Sequence, residues 1–156
     1  MYGTTDDLIG YYFQYKGIYV GWDDNSGMDM FIHHKIKAGN FSTIFNIVPD
    51  DFEFPTGDDL KQIYKNCKTV KGFREFIGYQ NKYWTSDVYS DNIMYAFNFN
   101  RGQFSREYKS SDGCYGIYIR KIYRNDDLGN DAHMKSRGFY SHRLRWKKDL
   151  QEYDYN

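Results

Sequence analysis

Between Tyr83 and Gly102 the chain sets aromatic rings against small or polar residues, and this pattern constrains the fold more than any other stretch. It runs Tyr83-Trp84-Thr85-Ser86, then Tyr89-Ser90-Asp91-Asn92, then Tyr95-Ala96-Phe97-Asn98-Phe99-Asn100-Arg101-Gly102. A period of two is that of a β-strand, whose successive side chains point to opposite faces. The stretch therefore predicts a hairpin system with Tyr95, Phe97 and Phe99 on one face and Met94, Ala96 and Asn98 on the other. The first face is expected to be buried. The second is expected to carry polar groups toward loop ends, where Tyr89, Asp91, Asn92, Asn100, Arg101 and Arg106 are the candidate partner-binding residues. Tyr89, Asp91 and Asn92 fit either a partner-reading loop or the polar turn that any hairpin needs. Trp84 reads as core rather than a stacking platform, and Asn98 as a hydrogen-bonded structural group.

At 156 residues the chain has room for one domain. Its 17 Tyr and 12 Phe sit in an otherwise polar sequence of mean hydropathy −0.84, so the apolar content is concentrated in a few large side chains. Such a composition suits a small β-rich core filled by rings, and argues against disorder. Lys+Arg and Asp+Glu both number 21, which removes any global pull toward nucleic acid or anionic membrane. Cys67 and Cys114 match no metal-ligand spacing and read as two lone thiols, with a single disulfide as the other possibility. No signal-peptide pattern is visible at the N-terminus, and no run of about 18 apolar residues offers a membrane span. Export by the general secretory route is therefore not expected.

Residues 9–22 predict two strands about a turn at Lys16-Gly17, and Met28 to His33 a third. Asp23-Asp24-Asn25-Ser26-Gly27 has the flavour of a calcium loop but lacks the later acidic ligand, so it reads as a turn. His33 and His34, as neighbours in a strand, would point to opposite faces, and at most one could join a metal site. Phe41 to Val48 does not decide between helix and strand. Thr56, with Asp58 and Asp59 behind it, caps a helix from about Gly57 to Asn66, whose Leu60, Ile63, Tyr64 and Cys67 recur at helical spacing. Val70 to Ile77 suggests a weaker helical piece. Phe104 to Tyr108 and Cys114 to Tyr123 predict the closing strands. The fold class expected is α+β, mostly antiparallel.

In Phe52-Glu53-Phe54-Pro55-Thr56-Gly57-Asp58-Asp59-Leu60, Tyr83-Trp84-Thr85-Ser86, Phe97-Asn98-Phe99-Asn100-Arg101-Gly102 and Tyr118-Ile119-Arg120, the chain resembles C-type lectin-like domains of the bacterial and phage branch. That group includes the major-paralogous-domain proteins and adhesin C-terminal domains. The resemblance implies a compact domain over residues 8–124 whose N- and C-terminal strands pair and whose loops gather into a binding face. It also implies a mostly non-enzymatic role in adhesion or receptor binding. The sugar-binding calcium motifs of animal lectins are missing, since Trp84-Thr85-Ser86-Asp87 stands in the comparable place without two adjacent ligands. Nor do Cys67 and Cys114 suggest the reactive cysteine pair of the sulfatase-modifying enzymes of that fold.

Residues 125–156 form an extended arm outside the resemblance. From Lys135 to Lys148 it carries Lys135, Arg137, Arg143, Arg145, Lys147 and Lys148 with no acidic residue, and Phe139, Tyr140 and Trp146 among them. Such a strip binds phosphate backbones or docks on an acidic neighbour. With no net charge overall, subunit docking through Lys135, Arg137, Arg143, Arg145, Trp146 and Lys147 is the preferred account. Asp50, Asp51, Glu53, Asp58 and Asp59 supply an acidic patch in the same chain type.

With no convergent catalytic set, the expectation is a non-catalytic structural and recognition protein without cofactor or metal. We expect a tail- or capsid-associated component of a phage virion, assembled in the host cytoplasm. Its partners would be other virion proteins in an oligomeric assembly and a host-surface glycan or protein receptor, with nucleic acid less favoured. The alternative is a bacterial cell-surface adhesin or carbohydrate-binding module.

Overall fold

The computed structural model describes residues 6–13, 15–78 and 81–124. The arm, with Lys135, Arg137, Arg143, Arg145, Trp146 and Lys147, lies outside the described residues. After a 3-10 turn at Asp6–Leu8 come β1 (Tyr12–Phe13), β2 (Gly17–Asp23), β3 (Met28–Ile32) and β4 (Lys37–Ala38). The helices α1 (Phe41–Asn46), α2 (Gly57–Cys67) and α3 (Phe73–Ile77) follow. The chain then continues through β5 (Lys82–Ser90), β6 (Ile93–Asn98), β7 (Gln103–Tyr108), β8 (Tyr115–Gly116) and β9 (Ile119–Ile122). Among the described residues the strands form two sheets, in the orders β1-β2-β3-β9 and β4-β8-β5-β6-β7. Every pairing is antiparallel except β5 with β8. The fold is mixed α+β and mostly antiparallel.

The helix after Pro55 forms where its capping residues place it. The Thr56 hydroxyl accepts from the Asp59 amide at 3.1 Å while an Asp59 carboxylate oxygen accepts from the Thr56 amide at 2.9 Å, a reciprocal capping box. From there Leu60, Ile63 and Cys67 are buried. The Asn66 side-chain amide reaches β2 and donates to the Val20 and Trp22 carbonyls, at 3.1 and 2.9 Å. Gly21 makes that approach possible. It lies in a register shift of the β2–β3 pair at φ +102°, and a Cβ there would stand 2.7 Å from the Asn66 nitrogen. The undecided segment is settled as α1, whose Asn40 side chain accepts from the Thr43 amide.

Around Tyr83–Thr85 and Ala96–Phe97 both faces of the β5–β6 hairpin are covered, which corrects the expectation that one of them would be free. Tyr83, Phe97 and Phe99 enter a core with α2, α3 and the first sheet, while Trp84, Met94 and Ala96 enter a second cluster with Ile44, Cys114 and Tyr118. The lid on that second face is α1 and the segment before α2. Phe41 meets the Trp84 ring edge-on at 5.6 Å, and the indole N–H donates to the Gly39 carbonyl at 3.0 Å. Trp84 is core, as read from the sequence. The pattern showed rings on one face because the other is filled by Met94, Ala96 and one indole, which period-two counting reads as small or polar.

The pairing of the termini also differs from expectation. The last strand does not pair with the first; β9 lies beside β3, with Ile122 opposite Asp29 and Ile119 opposite Ile32, and β1 is at the far edge of the same sheet. The run Cys114 to Tyr123, expected as a single closing strand, serves both sheets. Tyr115 pairs with Tyr83 and Ala38 in the second sheet, and from Ile119 the chain continues in the first.

Candidate recognition surface

The second sheet outruns the helix that covers it. Gly57, the first residue of α2, lies so close to Phe104 and Asp87 that a Cβ there would meet the Phe104 ring at 2.8 Å. Its amide donates to the Asp87 carboxylate at 3.1 Å. Beyond that point β5, β6 and β7 continue without the helix, toward the Asp91-Asn92 turn. The register sets Tyr95 opposite Arg106 and Ile93 opposite Tyr108, so Tyr95, Phe104, Arg106 and Tyr108 share one face. Tyr89 joins them, its ring edge-on to Tyr95 at 5.8 Å and beneath the Arg106 guanidinium at 4.5 Å. Tyr89 and Tyr108 are 48% and 65% exposed. The result is a ridge of rings and one guanidinium on a paired scaffold, held by the Lys109 amide donating to the Asn92 carbonyl at 2.9 Å.

No protein-family model matches the chain, and no curated protein shows significant sequence similarity to it.

The structure brings together four of the six expected partner-binding residues. Tyr89 and Arg106 are in contact, and Asp91 and Asn92 form the exposed turn beside them. Asn100 and Arg101 are at the other end of the hairpin, which corrects their grouping with the rest. There the Asn98 side-chain oxygen accepts from the Asn100 and Arg101 amides, at 2.7 and 3.2 Å, and so serves the turn as expected. Tyr95, Phe104 and Tyr108 belong to the ridge and were missed. Their signal was in the sequence as the alternation Phe104, Arg106, Tyr108, legible once β7 is registered against β6.

Two cations near the C-terminal strand, Lys121 and Arg124, are committed to the scaffold. Lys121 bridges two buried carboxylates, with Nζ 2.7 Å from Asp59 Oδ1 and 3.2 Å from Asp23 Oδ2. Asp23 also accepts from the Asn25 amide and the Ser26 hydroxyl. Of the calcium-like turn, Asp23 thus pairs with Lys121, while Asp24 pairs with Lys65 at 3.0 Å. Burial raises the Asp23 pKa, but the Ser26 hydroxyl, Lys121 and the Asn25 amide together hold it below the usual carboxylate range. For Lys121, burial lowers the pKa, and the two carboxylates outweigh it to leave the value raised. Asp59 is therefore withdrawn from the acidic patch expected of Asp50, Asp51, Glu53, Asp58 and Asp59, and the other four are exposed. Arg124 forms a fork on Asp29, with contacts of 3.1 and 2.6 Å, and covers the Trp22 ring at 4.8 Å.

His33 and His34 do not point to opposite faces, because β3 ends at Ile32 and their rings stack at 4.4 Å. Burial, then the charges of His34, Lys35 and Lys37, push the His33 pKa down to about 4. Cys67 and Cys114 are unpaired and buried in different clusters. Burial raises both thiols, that of Cys114 to about 11. Among the described residues no three His, Cys, Asp or Glu side chains form a group that could hold a metal, and no helix is long and apolar enough to cross a membrane. The chemistry of the ridge is that of binding. Its rings offer stacking faces, its guanidinium a planar donor, and Asp91 and Asn92 supply acceptors at the rim.

Proposed function

We propose that the protein is a non-catalytic recognition and structural component of a phage virion, tail- or capsid-associated. On this reading residues 8–124 are a C-type lectin-like attachment or display domain, and residues 125–156 dock on neighbouring subunits. The observation that carries it is the ridge of Tyr89, Tyr95, Arg106 and Tyr108, projecting beyond α2 on a sheet whose two faces are otherwise packed. Amphipathic rings and Arg at the tip of a rigid element are what interface hot spots are made of, because little conformational entropy is lost when they bind. The lectin-like part is supported by the capped helix that follows Pro55 and by the Tyr83-Trp84-Thr85-Ser86 strand.

The test has two arms. Mass spectrometry of gradient-purified particles from the source should find the chain in stoichiometric amount; its absence from particles refutes the virion role. Purified full-length chain should bind host envelope, and the Tyr89→Ala/Arg106→Ala variant should lose about tenfold or more in affinity. Equal binding by that variant refutes the ridge. The exposed Tyr89 and Tyr108 rings also suit stacking on sugar, which favours a second reading as a bacterial surface adhesin or carbohydrate-binding module. Glycan-array binding by a protein absent from particles would select it.

A further inference from the structure

The chain has a second exposed apolar surface, on the side opposite the ridge's face of the sheet. On α1 and just after it, Phe45 and Ile47 are 48% and 46% exposed. Phe45 lies at 5.5 Å from Phe41 and 5.3 Å from Phe54, both only partly buried, so the three rings make one patch. Scattered exposed rings are ordinary, whereas contiguous apolar surface such as this marks a contact site. Beside the patch the chain turns through Asp50 and Asp51 to Glu53. All three carboxylates are exposed and make no ion pair among the described residues. Asp51, Phe52 and Glu53 form one wall of a cleft of about 280 Å³ whose other wall is Met28, Arg120 and Lys121.

The occupant is suggested by charge and by where the described chain ends. The face joins apolar rings to three carboxylates that are unpaired among the described residues. The segment 135–148 offers the complement, six Lys and Arg with Phe139, Tyr140 and Trp146 and no acidic residue. It is also tethered nearby. Glu53 pairs through its backbone with Ile119 at the start of β9, the strand ends at Ile122, and Asp29 holds Arg124 two residues beyond. Eleven residues separate Arg124 from Lys135, an extended span of up to about 40 Å, against at most about 18 Å from Arg124 back to the Ile119–Glu53 pairing.

We propose that the segment 135–148 seats on this face, its rings on Phe45, Ile47 and Phe54 and its cations on Asp50, Asp51 and Glu53. The inference rests on the docking role proposed above for the arm and names the surface that receives it. The test is zero-length carbodiimide crosslinking of the full-length chain, which joins a Lys amine to a carboxylate only where they touch. It is performed on an equal mixture of ¹⁴N- and ¹⁵N-labelled protein. The expected result is a set of links from Lys135, Lys147 and Lys148 to Asp50, Asp51 and Glu53, falling several-fold at high salt and in the Phe45→Ala/Ile47→Ala variant. Links spread over Asp58, Asp91 and Asp112 as well, or none from these lysines, would overturn the seat. Mixed-isotope links to the seat support docking between copies. Links to the seat within single chains only support the seat while refuting the subunit-docking role, and mixed-isotope links to other sites do the reverse.

Discussion

Replacing Lys121 by Met removes one cation from between two carboxylates that have no other counterion among the described residues. The methionine keeps the length of the stem and its packing, so the change isolates the charge. Asp23 is fully buried and the Asp59 side chain is 8% exposed, so the variant leaves two anions facing each other away from water. Removing one partner of a buried pair costs about 3–5 kcal/mol. Lys121 is itself 19% exposed, which admits some water and puts the expected loss at the low end, about 3 kcal/mol. Against a domain stability of about 5–15 kcal/mol this is a large fraction. In urea, at about 1–3 kcal/mol/M, it moves the midpoint by about 1–3 M. The triple variant Lys121→Met/Asp23→Asn/Asp59→Asn should recover most of the loss, because no buried charge remains and Asn can still accept the turn and cap hydrogen bonds. The pH dependence follows from the direction of each shift. The Asp23 contribution is present above the ordinary 3.8 and lost as pH falls through its lowered folded value. The Lys121 contribution is complete below 10.5 and lost as pH rises through its raised folded value. A cost below about 1 kcal/mol, the range of surface ion pairs, would refute the reasoning. So would a triple variant less stable than the single one.

Lowering the pH should also destabilise the chain through His33. Its ordinary value of 6.5 falls to about 4 on folding, so the unfolded chain binds more protons in that interval and stability drops as pH falls across it. His33→Asn should flatten the slope seen in urea titrations at stepped pH. Both thiols should resist a disulfide reagent in the native protein and react in denaturant; one reactive thiol in the native state would contradict the burial of Cys67 and Cys114. In Gly116→Ala the new Cβ would collide with Ile44 Cγ2, inside the second core cluster. Overpacking there should cost about 1–3 kcal/mol by chemical denaturation, and Ile44→Ala in the same chain should show coupling of opposite sign.

The parts legible in the sequence were those with a local cause. Thr56, Asp58 and Asp59 announce a helix start, and the structure adds that Asp59 completes the box and also meets Lys121. Asn98 was assigned to structure because it alternates with buried rings, and it holds the turn after β6. What failed depended on which strands lie side by side. Nothing local to Ile119–Ile122 says that its partner is Met28–Ile32 rather than Tyr12–Phe13. The same blindness grouped Asp91 with Arg101, which are near in sequence and lie at opposite ends of one strand. Phe41–Asn46 was undecidable because its six residues hold one fully buried side chain, too few for a periodic signal.

The fork between Arg124 and Asp29 has a mechanical meaning. Tension applied to the chain beyond Arg124 is received first by this contact, then by β9, whose four registered pairs with β3 end at the same place. A pull along β9 strains those bonds together in shear, whereas a pull away from the sheet would peel them one at a time. The guanidinium, gripping an aspartate of the neighbouring strand and resting on Trp22, resists the peeling start. A load entering the fold at Arg124 therefore meets an ion pair, a ring contact and a strand pairing that share one neighbouring strand pair.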